Sequence, residues 1–173
     1  MRSASRVLAV LLVVASVAIG CAAGDETDPS GTGGSSGIAG EGGGSTGEVR
    51  NVEGGSAVSA PNTDIASAYG IVFLGGRFTA ASGVSANSVG LGRPWGADGF
   101  GAFLRAELGA HIIAAGFVPM SSNQPQNARF HEYQSTGAGA NAASRSSYQL
   151  TASQAASYTI ANIFPGWTPS YSQ

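Results

Sequence analysis

Short apolar runs set apart by turn-forming stretches constrain this chain most. Ala57-Val58, Gly70-Ile71-Val72-Phe73-Leu74, Ser88-Val89-Gly90-Leu91 and Ile112-Ile113 read as short strands. Between them stand Pro61-Asn62-Thr63-Asp64 and Thr79-Ala80-Ala81-Ser82-Gly83, which carry the residues that turns favour. A strand and turn recurring every roughly 20–25 residues predicts an all-β solenoid. Residues 100–108 are ambiguous: Ala, Leu, Arg and Glu favour a helix. Alternation favours a strand, with Leu104, Ala106 and Leu108 on one face and Phe103, Arg105 and Glu107 on the other.

One helix is expected near the C-terminus. Thr151-Ala152-Ser153-Gln154 reads as a capping box. Ala152, Ala156, Ile160 and Ile163 then fall on one apolar stripe, and Pro165-Gly166 ends it.

The N-terminal part is not solenoid. Arg2 and Arg6 precede the apolar run Val7–Ala15, which reads as an export signal over residues 1–20. Val17-Ala18-Ile19-Gly20-Cys21 resembles a bacterial lipobox, so the chain's single cysteine, Cys21, is the expected lipidation site. Acylation there would hold the protein at a membrane through a lipid anchor. Ala22 after the cysteine points to an outer-membrane or cell-surface lipoprotein, and the alternative is an ordinary secreted protein. Residues 21–47 form a Gly/Ser-rich linker in which Ile38 is the only sizeable apolar side chain after Asp25, so it is expected to be disordered. The folded region is placed at 48–173.

Charge excludes one class of partner. The chain has no lysine, and without Arg2 and Arg6 six arginines face ten acids, a balance of −4. No basic patch remains to track a phosphate backbone, so nucleic acid is not an expected partner.

Leu91-Gly92-Arg93-Pro94-Trp95 resembles the LGRPW signature of pectinesterases. The resemblance runs in order from about Gly54 to Trp167. Ser59–Asp64 is similar to the family's TAPST turn and Tyr69–Leu74 to its YGFVF strand. His111–Phe117 is similar to HIxPxGW, and Phe130–Tyr133 with Gly137–Ala140 to EYxNxGPGA. The resemblance implies a right-handed parallel β-helix. It also implies hydrolysis of galacturonate methyl esters in pectin, with one aspartate as nucleophile and a second as general acid and base. In that scheme Arg93 orients the nucleophile by its planar fork. Trp95 binds the sugar chain, and Met120 falls at an apolar cleft position. The alternatives are a structural Arg93 satisfying backbone carbonyls between coils, a Trp95 used in packing, and an ordinary surface or packing Met120.

The family's paired aspartates and glutamines belong upstream of the signature, on coils this sequence is expected to lack, since before Gly54 it has only linker and signal. Asp64, Asp98, Glu48, Glu53, Glu107 and Glu132 show no paired pattern, and no zinc, P-loop or triad constellation is present. No metal and no cofactor are expected. Gly90, Ala110, Phe117 and Ala138 depart from the family pattern. The expectation is therefore a truncated β-helix lacking its N-terminal coils and inactive alone. The other function considered is a non-catalytic surface protein that binds pectin or a related polysaccharide, or a gene remnant. A solenoid exposes its apolar cross-section unless capped, so a partner or a second copy is expected to cover the open N-terminal end.

Overall fold

A computed structural model describes residues 48–51 and 54–167. The signal, Cys21 and the linker lie outside the described residues. Within them, no helix is long and apolar enough to cross a membrane.

The chain winds as a parallel β-helix. Strands β1 (Glu48–Asn51), β2 (Ala57–Ser59) and β3 (Ile71–Leu74) make one coil. Strands β4 (Arg77–Ala80), β5 (Gly90–Gly92) and β6 (Phe100–Leu104) make the next. Then follow β7 (Glu107–Leu108), bridges at Ile112 and Phe117, and β8 (Arg129–Tyr133). Like strands stack in parallel, β1-β4-β7, β2-β5 and β3-β6-β8. Glu48 stands under Arg77, Arg77 under Glu107, and Glu107 under Thr136, steps of 29, 30 and 29 residues. The expected 20–25-residue unit was thus too short, because each coil carries three strands. Among the described residues β1, β2 and β3 each pair on one side only.

Alternation then divides the side chains. Val49, Phe78 and Leu108 turn inward from one sheet, Leu91 from another, and Phe73, Phe103 and Phe130 from the third. Phe73 stacks on Phe103 with centroids 4.7 Å apart, and Phe117 stacks on Phe130 at 4.4 Å. Such a pair contributes about 0.5–1.5 kcal/mol beyond the burial of its rings. The close approach needs Gly92 and Gly101, where an added Cβ would meet the Phe130 ring at 2.9 Å.

Residues 100–108 are extended as expected, but Arg105 takes φ 55° and turns a corner between β6 and β7. The proposed single alternation therefore breaks. Phe103, Ala106 and Leu108 share the inner core, while Leu104 faces outward. Every residue of β6 is buried because its outer face is covered too. Val72, Phe100, Ala102 and Leu104 pack there against Ala155 and Ile163 of the C-terminal segment.

That segment is two short helices, α1 (Ala152–Ala155) and α2 (Ile160–Ile163), not one. The capping box at Thr151 and Gln154 forms, but Thr159 caps a second start through the Asn162 amide. Between them Tyr158 turns inward against Tyr69, Phe100 and His131. The expected stripe is corrected accordingly: Ala152 and Ala156 are exposed, and Ala155 and Ile163 carry the contact.

Candidate functional site

Three neighbouring segments bring Arg93, Trp95 and Met120 together. Gly92 at the end of β5 pairs with Ser59 of β2 on one side and bridges Phe117 on the other. The Arg93 amide donates to the Ser59 carbonyl at 3.0 Å, and the Val118 amide to the Gly92 carbonyl at 3.0 Å. One step on, the Trp95 amide donates to the Pro61 carbonyl at 3.0 Å. The parallel register thus places Trp95 between the Pro61 turn and the Met120 segment.

Asn123 closes this arrangement. Met120 and Asn123 exchange backbone hydrogen bonds of 3.0 and 2.9 Å around a two-residue turn, with Ser121 at φ 52°. The Asn123 side-chain amide then donates to the carbonyls of Trp95 at 2.7 Å and Pro94 at 3.2 Å. Trp95 is held by its main chain from both sides while its residue surface stays 62% exposed. Met120 is half-buried beside it.

Arg129, at the start of β8, braces the adjoining loops. Its guanidinium donates to the carbonyls of Asp98 at 2.8 Å, Ser67 at 2.7 Å and Asp64 at 3.0 Å. It also lies over the Phe100 ring, 5.3 Å from the centroid. Arg129 thus satisfies main-chain carbonyls between coils, the kind of role weighed as the alternative for Arg93. Neither Asn123 nor Arg129 was singled out in the sequence. Their partners lie 28 to 66 residues away, and no local pattern signals that.

Arg93 itself is half-buried, and its Nε is buried without a hydrogen-bond partner. Among the described residues no carboxylate forms an ion pair with it. Asp98 is exposed on the loop after Trp95, and the side chains of the other four described acids have partners elsewhere. Glu48 accepts from the Thr79 hydroxyl, Asp64 caps the Ala66 amide, and Glu107 pairs with Arg77 at 3.0 Å. Glu132 meets Arg145 at 3.3 Å inside the C-terminal coil, a contact held by charge because its alignment is too poor for a hydrogen bond. Burial lowers the Arg145 pKa, and the Glu132 charge offsets part of that. Among the described residues no three of His, Cys, Asp and Glu gather to hold a metal.

The histidines lie apart from this surface. His111 is buried, its Nε2 2.9 Å from Asn51 Oδ1, and burial holds its pKa below the ordinary value. It lines a cleft of about 390 Å³ with Arg77, Thr79 and Glu107, whose side chains already have partners within the fold. His131 sits on the outer face of β8 against Phe100, lowered by burial and then by Arg129.

No family model matches the chain. Pectinesterase A of Dickeya chrysanthemi is 37% identical over 136 residues, covering 65% of this chain and 36% of that protein. A pectin methylesterase crystallised in complex with a hexasaccharide superposes with a TM-score of 0.61 at 28% identity, over 72% of this chain and 45% of the other. The pectin methylesterase from Yersinia enterocolitica superposes at 0.59 with 32% identity, over 65% and 42%. The chain spans about a third of the length of the curated relatives it matches.

Proposed function

From a chain that carries a partial domain of the pectinesterase family, we propose a protein that binds pectin or a related polysaccharide at the Trp95 surface. An indole face packs on the apolar side of a sugar ring, and binding improves when the aromatic is fixed beforehand. The observation that carries this reading is Trp95 itself, exposed at its ring yet tied at its backbone to Pro61 and Asn123. Met120 extends the apolar surface, and Arg93 supplies the adjacent positive charge.

Ester hydrolysis by the described residues alone is not part of the proposal. Aspartyl-type attack needs a carboxylate fixed at the reacting carbonyl and a second group to move the proton. Arg93 has no carboxylate partner among the described residues. Full pectinesterase activity would need groups beyond these, from further coils of a longer chain or from a partner seated on β1, β2 and β3.

The test pairs two assays on residues 22–173 with circular dichroism as the folding check. Binding to pectin that Trp95→Ala weakens about tenfold or more, without methanol release, is the expected result. Methanol release above the Trp95→Ala background would show that this chain supplies its own catalytic groups. Export and acylation at Cys21, with a cell-surface location, belong to the same proposal. Incorporation of labelled palmitate into the full chain, abolished in Cys21→Ser, tests them.

A further inference from the structure

We infer that the Arg93 surface selects the free carboxylate of a uronate chain over its methyl ester, so that the ligand is the de-esterified polymer. The inference rests on the proposed polysaccharide binding at Trp95 and adds the chemical form of the ligand.

The described arginines are used in different ways. Arg77 is paired with Glu107, Arg145 with Glu132, and Arg129 is saturated by main-chain carbonyls. Arg105 lies over the Tyr133 ring. Arg50 on β1 is exposed and forms no ion pair among the described residues. Arg93 differs from these five. Its Nε is buried with no acceptor, and no carboxylate among the described residues neutralises it. It lies two residues from an exposed indole that is held in place on both sides. A guanidinium presents donors in a planar fork that fits a carboxylate with two parallel hydrogen bonds. A methyl ester offers that fork only weak neutral acceptors and carries no charge. A uronate stacked on Trp95 would therefore gain a charge-assisted contact that its ester cannot make.

Overall charge works the other way. The chain carries a formal net charge of −2, and long-range repulsion disfavours a polyanion. Asp64 and Asp98 are exposed on the loops flanking Trp95, which adds local repulsion. A preference for the acidic polymer must then come from a short-range contact, and Arg93 is the cation at that position. The preference should weaken with salt, as exposed charge contacts do.

The experiment measures binding of residues 22–173 to polygalacturonate and to its fully methyl-esterified form at low and at physiological salt. Four variants accompany the parent: Arg93→Gln, Arg93→Lys, Trp95→Ala and Arg50→Gln. The last removes an equal charge from β1, away from the site. The expected result is about tenfold tighter binding of the free acid at low salt. Arg93→Gln abolishes that ratio, while Arg93→Lys keeps part of it and Arg50→Gln keeps all of it. Trp95→Ala weakens binding to both polymers. Equal affinity for the two polymers, tighter binding of the ester, or a ratio that survives Arg93→Gln overturns the inference and leaves the Trp95 proposal standing. Absence of binding to either polymer by a folded parent overturns the Trp95 proposal itself, and this inference with it.

Discussion

Breaking the ion pair inside the C-terminal coil should be among the most damaging single changes available to this fold. The Arg145 and Glu132 side chains are 0% and 2% exposed. Removing one partner leaves the other charge buried without compensation, which costs about 3–5 kcal/mol. The two partners are not equivalent. In Glu132→Leu the guanidinium keeps its hydrogen bonds to the carbonyls of Gly139 and Asn141, which places that variant near 3 kcal/mol. In Arg145→Met the Glu132 oxygen facing Arg145 has no hydrogen bond to fall back on, which places it near 5 kcal/mol. For a folded region of this size about 1 kcal/mol moves the melting temperature by roughly 4 °C, so the expected losses are about 12 and 20 °C. Replacing both, Glu132→Leu with Arg145→Met, removes both desolvation penalties and should return most of the stability. Thermal and urea unfolding followed by circular dichroism on the four proteins makes the cycle. The reasoning fails if each single variant loses less than about 1 kcal/mol, or if the double variant is as unstable as the sum of the singles.

Three further outcomes follow from the same geometry. Phe130→Ala should cost about 4 kcal/mol, since the ring fills the space opened by Gly92 and Gly101 and stacks on Phe117; urea midpoints measure it. Asn123→Ala should weaken polysaccharide binding about five- to tenfold while shifting stability by about 1 kcal/mol or less, because it frees the Trp95 main chain at the surface. Titration of indole emission in a Trp167→Phe background reads that change. The only two histidines, His111 and His131, both have pKa values lowered by burial. Below about pH 6.5 the unfolded chain therefore binds more protons than the folded one, and stability should fall as pH drops from about 7 to 5. Urea midpoints across that range should fall less steeply in His131→Phe, which keeps the ring contacts with Phe100 and Tyr158.

Parts of this architecture are legible in the sequence. Ile71–Leu74 and Ser88–Leu91 announce strands because both faces of one and the inner face of the other are apolar. The coil length is not legible, since β1 and β4 each send a single large apolar side chain inward, Val49 and Phe78, and show polar residues outward. A search for apolar runs passes over such strands. The C-terminal helix was half visible: the Thr151 box forms, but tertiary contacts at Tyr158 outweigh helical continuity and Thr159 restarts the turn. Arg93, Trp95 and Met120 could be named from a resemblance. Asn123 and Arg129 could not, because their partners exist only once neighbouring coils lie in register.

The layout also separates stability from recognition. In a solenoid each coil interacts with its neighbours only, so a change acts mainly where it is made. The Arg145 and Glu132 pair closes the last coil, while Trp95 is held by Pro61, one coil earlier, and by Asn123, before β8. The two meet at Gly116, which lies against the Arg145 side chain and accepts from the Leu91 amide, and at Phe117, which stacks on Phe130 beneath the Gly92 bridge and contacts Tyr148. Arg145→Met should therefore lower the melting temperature without changing affinity for polysaccharide, measured at least 15 °C below its midpoint, by more than about twofold. Asn123→Ala should do the reverse. If Arg145→Met also loosens binding severalfold, Gly116 and the Phe117 stack transmit the change at the Arg145 pair to the site. The Trp95 surface would then be a property of the whole β-helix rather than of its own three segments.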